Sequence, residues 1–181
     1  LPTFTPLPTF TFTPTLTFTP TATFTPTSVP PAPDAKIYVA APGPMSKIAS
    51  PLQLRMNVVA GENHLVYISL FGEDGRLIAS DLERIISEPP TAAYLSFEIP
   101  FVVRAVELGH LQVITKDLGG RIESLSTTFL LLLPVGQSEI TPPPPPFERA
   151  YFALPEPKGT VTGGLLIVEG AMWPFNEQSI V

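Results

Sequence analysis

No cysteine occurs in the 181 residues, which removes disulfides, thiolate metal centres and cysteine nucleophiles from consideration. Charge is scarce: 14% of residues are Asp, Glu, Lys or Arg, and none precedes Asp34. The ten basic residues are scattered singly from Lys36 to Lys158, and the net charge is −6. No basic cluster exists to neutralise phosphates, which argues against nucleic-acid partners. The acidic balance serves solubility instead. No apolar run exceeds five residues, the length of Phe129 to Leu133, against roughly 20 for a membrane-spanning helix.

The inventory for catalysis is equally thin. His64 and His110 are the two histidines, and a zinc site wants at least three protein ligands near one another. His64 begins an alternating segment and His110 follows Gly109, so both are expected at edges or loops. No Gly-x-Ser-x-Gly elbow and no Asn-x-Ser/Thr sequon occurs. Gly119-Gly120 falls between two alternating segments rather than before a helix, so it does not read as a phosphate loop. Glu73, Asp74, Asp81 and Glu83 form a local acidic group. Calcium loops need regularly alternating carboxylates, and Glu73-Asp74-Gly75 reads as a turn. No catalytic, cofactor-binding or metal-ligating residue is expected.

Proline, by contrast, is abundant, with 24 residues in the chain. From Thr3 to Thr27 every odd position is Thr except Leu7, and Phe-Thr-Pro recurs at Phe4, Phe12, Phe18 and Phe24. Recurrent Pro breaks helices and removes ladder donors from strands. Residues 1–35 therefore read as an extended, polyproline-II-like stalk. At about 3.1 Å per residue its repetitive part reaches on the order of 80 Å. Dense Thr with Pro is also the composition of O-glycosylated stalks, with Thr13, Thr15, Thr19, Thr21 and Thr25 as candidate acceptors. Phe4, Phe10, Phe12, Phe18 and Phe24 are unusual in a plain spacer. They are candidate partner contacts, as is Trp173, whose expected role is packing or an interface. The chain begins inside the repeat rather than with Met, so an upstream segment is expected.

From Lys36 the pattern changes to period-two alternation. Lys36–Ala40 and Ile48–Val59 read as strands, the latter with Leu52, Leu54, Met56 and Val58 on one face. His64–Phe71 follows, with Val66, Ile68 and Leu70 inside. Glu73-Asp74-Gly75 signals a hairpin returning through Arg76–Ser80, and a helical turn is expected near Asp81–Ile86. Ala92–Ile99, Leu111–Lys116 and Ile122–Leu133 complete the set, the last two joined at Asp117-Leu118-Gly119-Gly120. Leu125, Thr127, Phe129, Leu131 and Leu133 share one face. About seven strands with regular turn signals predict an all-β fold, a β-sandwich over residues 36–135. Residues 136–149 carry five consecutive prolines, Pro142 to Pro146, and read as a stiff spacer.

The pattern then restarts. Tyr38-Val39-Ala40-Ala41-Pro42-Gly43-Pro44 matches Tyr151-Phe152-Ala153-Leu154-Pro155-Glu156-Pro157 at an offset of 113 residues. At that offset Ile48 falls on Val161, Leu52 on Leu165, Leu54 on Ile167 and Asn63 on Asn176. Residues 150–181 thus read as the start of a second, truncated copy. Too short to bury a core alone, it is expected to continue further along the chain or to complete a partner's sheet.

Each copy opens with an apolar strand, Pro-x-Pro, a small-residue turn and a second apolar-alternating strand. The second copy's alternating strand ends in Val168-Glu169-Gly170. In this the chain resembles the bacterial immunoglobulin-like domains of spore-germination and sporulation proteins, the Gmad2 type. The stalk is similar to linkers of envelope lipoproteins, which implies anchoring through an upstream lipidated residue. The resemblance implies a non-catalytic, extracellular or envelope-exposed spacer or assembly module with protein partners or self-association. Two other organisations fit the same residues: an accessory subunit of a membrane-bound complex with a docked stalk, and the non-catalytic region of a larger secreted enzyme.

Overall fold

The computed structural model describes Thr3, residues 32–155 and residues 159–172. Among these it is all-β, without a helix. Eight strands follow one another in the first module: β1 (Ile37–Ala41), β2 (Lys47–Ala49), β3 (Leu52–Val59), β4 (Leu65–Phe71), β5 (Leu77–Arg84), β6 (Ala92–Ile99), β7 (Glu107–Lys116) and β8 (Ile122–Leu133). They form a three-stranded sheet, β1-β3-β6, and a five-stranded sheet, β2-β8-β7-β4-β5. All pairings are antiparallel except β2 with β8.

Alternation explains the layers. In β3, Leu52, Leu54, Met56 and Val58 are fully buried while Gln53 and Arg55 face solvent. Val66, Ile68 and Leu70 of β4, Leu111 and Val113 of β7, and Leu130 and Leu132 of β8 meet them from the other sheet in one continuous core. A residue period of two puts each such set on a single face. The two sheets sharing one core are consistent with a β-sandwich.

Three local expectations are corrected. The single strand expected over Ile48–Val59 is broken at Ser50-Pro51, and its halves belong to different sheets. Proline has no N–H to give a ladder, so the chain changes sheets there. The segment near Asp81–Ile86 expected to form a helical turn is instead the second half of β5, through Arg84, and the two residues after it. Leu82, Ile85 and Ile86 have helix-like spacing, but β4 pairs with this segment down to Leu65 opposite Arg84. Cross-strand pairing overrides the local spacing.

The third correction concerns His110, which lies within the central strand β7 rather than in a loop. Gly109 before it is a strand residue: a Cβ there would come within 2.6 Å of the Leu132 side chain. The glycine admits a packed leucine and marks no turn. His110 sits on the outer sheet face between Phe71 and Phe129, with ring centroids 5.9 and 5.3 Å away.

Both expected hairpins form. At Gly72–Arg76, Asp74 Oδ1 accepts from the Arg76 N–H, and Gly75 takes a positive φ of 79°. At Asp117–Arg121, the nearly buried Asp117 carboxylate accepts from Arg121 N at 2.8 Å and Arg121 Nε at 2.6 Å. These bonds, the backbone one foremost, hold the Asp117 carboxyl below its ordinary pKa. The outward face of β8 carries Leu125 and Phe129, 53% and 50% exposed.

Beyond the first module, β9 (Ala150–Leu154) pairs antiparallel with β10 (Glu169–Met172). β9 lies 113 residues after β1, end for end. β10 falls where the offset carries the end of β3. The ladder slips between Val39 and Ala41 in β1, and at the corresponding place in β9, between Phe152 and Leu154. The register differs by one residue: Tyr38 opposes Asn57, whereas Tyr151 opposes Ala171 rather than Gly170.

Candidate functional site

The most elaborated polar region is the junction where the chain comes into and leaves the first module. The Pro-rich segment, expected as a stiff spacer, is laid along that module. Lys47 and Glu139 exchange both backbone hydrogen bonds, at 3.0 and 2.8 Å, and Lys47 Nζ reaches Glu139 Oε2 at 2.8 Å. The Lys47 ammonium draws the Glu139 carboxyl below its usual pKa. Ser138 Oγ accepts from the Ala49 N–H at 3.0 Å. The outer edge of β2 is thereby paired rather than bare.

Ser46 is the buried centre of this contact. Its Oγ donates to the Gly43 carbonyl at 2.7 Å and accepts from the Thr141 N–H at 2.9 Å. Thr141 Oγ1 donates to the Pro44 carbonyl at 2.6 Å. Gly43 is required by proximity, because a Cβ there would collide with the Pro142 carbonyl. Further along, Asp34 and Phe147 form an isolated antiparallel bridge. Its bonds run from Ala35 N to Pro146 O at 3.1 Å and from Glu148 N to Pro33 O at 2.8 Å. The incoming segment at Pro33 and the outgoing segment at Glu148 therefore lie side by side. A cavity of about 300 Å³ lies beneath them, lined by Ile37, Tyr38, Leu125, Pro144 and Phe147 among others.

A second cavity, of about 570 Å³, opens at one end of the module between Val59, Thr115 and Pro89. His64, Glu62, Glu88 and Glu123 line it, with the buried Thr115. Two of its carboxylates already serve the backbone: Glu123 Oε2 accepts from Glu62 N at 2.9 Å, and Glu62 Oε2 from Leu118 N at 3.5 Å. No group of three His, Asp or Glu suited to holding a metal ion occurs among the described residues. No helix among them is long and apolar enough to cross a membrane.

Phe4, Phe10, Phe12, Phe18, Phe24 and Trp173 lie outside the described residues, as do Thr13, Thr15, Thr19, Thr21 and Thr25. Of the other singled-out residues, His64 lies at the mouth of the larger cavity and His110 in the outer aromatic row, in different parts of the molecule. Sequence reasoning missed Ser46, Thr141 and Gly43. The available signal was the small-residue turn after Pro42, which admits a second chain at close range. Compared with known protein families and with curated proteins, the chain matches none.

Proposed function

We propose that this chain is a non-enzymatic, envelope-exposed structural or assembly protein, with tandem immunoglobulin-like modules carried on a Thr/Pro stalk. The observation that carries the reading is the recurrence of the β1–β3 pair as β9–β10, with the ladder slip at the same place. A module that restarts after a proline-rich segment is the organisation of a repeated spacer.

The sheet partition supports the immunoglobulin-like part. The first, third and sixth strands share one sheet, and the fourth, seventh and eighth share the other with β5 beside β4. Immunoglobulin-like sandwiches divide their strands in this manner, with an extra strand added next to the fourth in the larger variants. The docked segment supports the spacer part. It fixes how the chain leaves the module, so direction as well as distance is defined.

Protease shaving of intact cells tests the location. Peptides from residues 36–135 are expected in the released fraction, and their recovery from the cytoplasm alone would overturn the proposal. Intact-mass measurement of the native protein reads lipid and Thr-linked glycan directly.

A further inference from the structure

The two sheets leave four edge strands, and three of them are blunted. β2 is three residues long and paired to Glu139. β1 is interrupted by its ladder slip. β5 has an irregularity opposite Leu70 and Phe71 and carries Asp81, Glu83 and Arg84. β6 has none of these devices. Its eight residues pair with β3 without a slip, from Leu52 opposite Ile99 to Val59 opposite Ala92. Glu98 is its one charge. A long, regular, nearly uncharged edge presents unpaired N–H and C=O groups to any strand that can match it.

A second observation converges on the same side. The apolar residues packed against the core yet incompletely covered are Ile78, Ala79, Ala93, Leu95 and Phe97. All belong to β5 or β6. Among the described residues, the seam between the sheets is thus least covered where the bare edge lies. One more strand beside β6 would cover Leu95 and Phe97 and engage the edge amides together.

We propose that β6 is the contact through which two copies of this chain associate, pairing antiparallel across a two-fold axis into one six-stranded sheet. The sequence of β6 is self-complementary when the axis passes Ser96. Leu95 then opposes the partner's Phe97, and Ala93 opposes the partner's Ile99, on the core side. On the outer side Tyr94 opposes the partner's Glu98, so no like charges meet. Opposed residues in such pairs hold their Cβ atoms about 4.5–5.5 Å apart. An isologous contact of this kind closes at two copies. The inference supplies a partner for the assembly role proposed above but rests on the fold alone. A monomeric chain would overturn the contact and leave the surface location to be read by shaving.

The test uses the full chain in sedimentation equilibrium from about 1 µM to 1 mM, a range that captures weak association. A concentration-dependent dimer is expected. Ser96→Lys, at an exposed position, would set two ammonium groups against each other and should weaken the dimer at least tenfold. Ser80→Lys on β5 should leave it unchanged. Ser96→Cys introduces the chain's one thiol by a near-isosteric change and should give an interchain disulfide under mild oxidation, well above Ser80→Cys. A monomer at the highest concentration overturns the proposal. So does a dimer indifferent to Ser96→Lys, or equal cross-linking from the two cysteine variants.

Discussion

The strand pairs β1–β3 and β9–β10 have corresponding sequences, antiparallel ladders and a slip at the same position, yet opposite surroundings. In the first pair, Leu52 and Leu54 are fully buried beneath the five-stranded sheet. At their offset counterparts, Leu165 and Ile167 are 73% and 61% exposed. The ladder and its irregularity therefore recur where, among the described residues, the corresponding apolar positions stay exposed. The cover that turns a ladder into a core comes from strands more distant in the chain. The one-residue difference in register between the pairs fits this division, because burial of one face is what pins register.

Truncation of the two corresponding leucine-like positions breaks the comparison most sharply. Leu54→Ala should cost about 2–5 kcal/mol, by lost transfer energy and the cavity left behind. Ile167→Ala should stay within about 0.5 kcal/mol. Chemical denaturation of both variants reads the difference, and equal costs would show that the second pair is also covered.

Gly43→Ala addresses the docked segment. The added methyl group meets the Pro142 carbonyl, and relieving such overlap typically costs about 1–3 kcal/mol. Cleavage within residues 137–147 should accelerate while the core of the first module stays protected. Unchanged cleavage would mean that the segment is held elsewhere.

Acid sensitivity gives a third measurement, at the β7–β8 hairpin. An unfolded aspartate titrates near pH 3.9, and folded Asp117 titrates lower. Its stabilising contribution is complete above the unfolded value and disappears as pH falls through the folded one. Asp117→Asn should remove that part of the fall in denaturation midpoint below about pH 4. A wild-type pH profile in the variant would assign the acid response to other carboxylates.

A small effect is expected at Lys47 as well. Its ion pair with Glu139 is 52% and 71% exposed, and pairs of this kind contribute about 0–1 kcal/mol. Lys47→Ala should barely change stability, since the two backbone bonds to Glu139 remain.

The strands of the first module were legible because their period of two is a local signal. Ala92–Ile99 and Ile122–Leu133 begin and end as the alternation predicts. What local pattern could not convey was partnership. Nothing around Ile48 says that it belongs with β8 while Leu52 belongs with β1 and β6. Gly109 looked like a break because its reason, the Leu132 side chain, lies on another strand. The prolines from Pro142 to Pro146 announce stiffness but not what they lie against. The junction was invisible for the same reason: Ser46 and Thr141 are 95 residues apart in the chain. Their pairing depends on the completed fold.

The bridge between Asp34 and Phe147 also determines how the molecule responds to tension. Its two strands run antiparallel, with Pro33 opposite Glu148 at the outer end and Ala35 opposite Pro146 within. Traction applied to the chain before Pro33 and after Glu148 would peel these bonds one at a time instead of shearing them together. The sandwich would hang beside the line of force, and the docked segment would yield first. Fully drawn out, the 14 residues from Val135 to Glu148 would span up to about 3.3–3.6 Å each. Extension would then come from undocking, with the folded core intact.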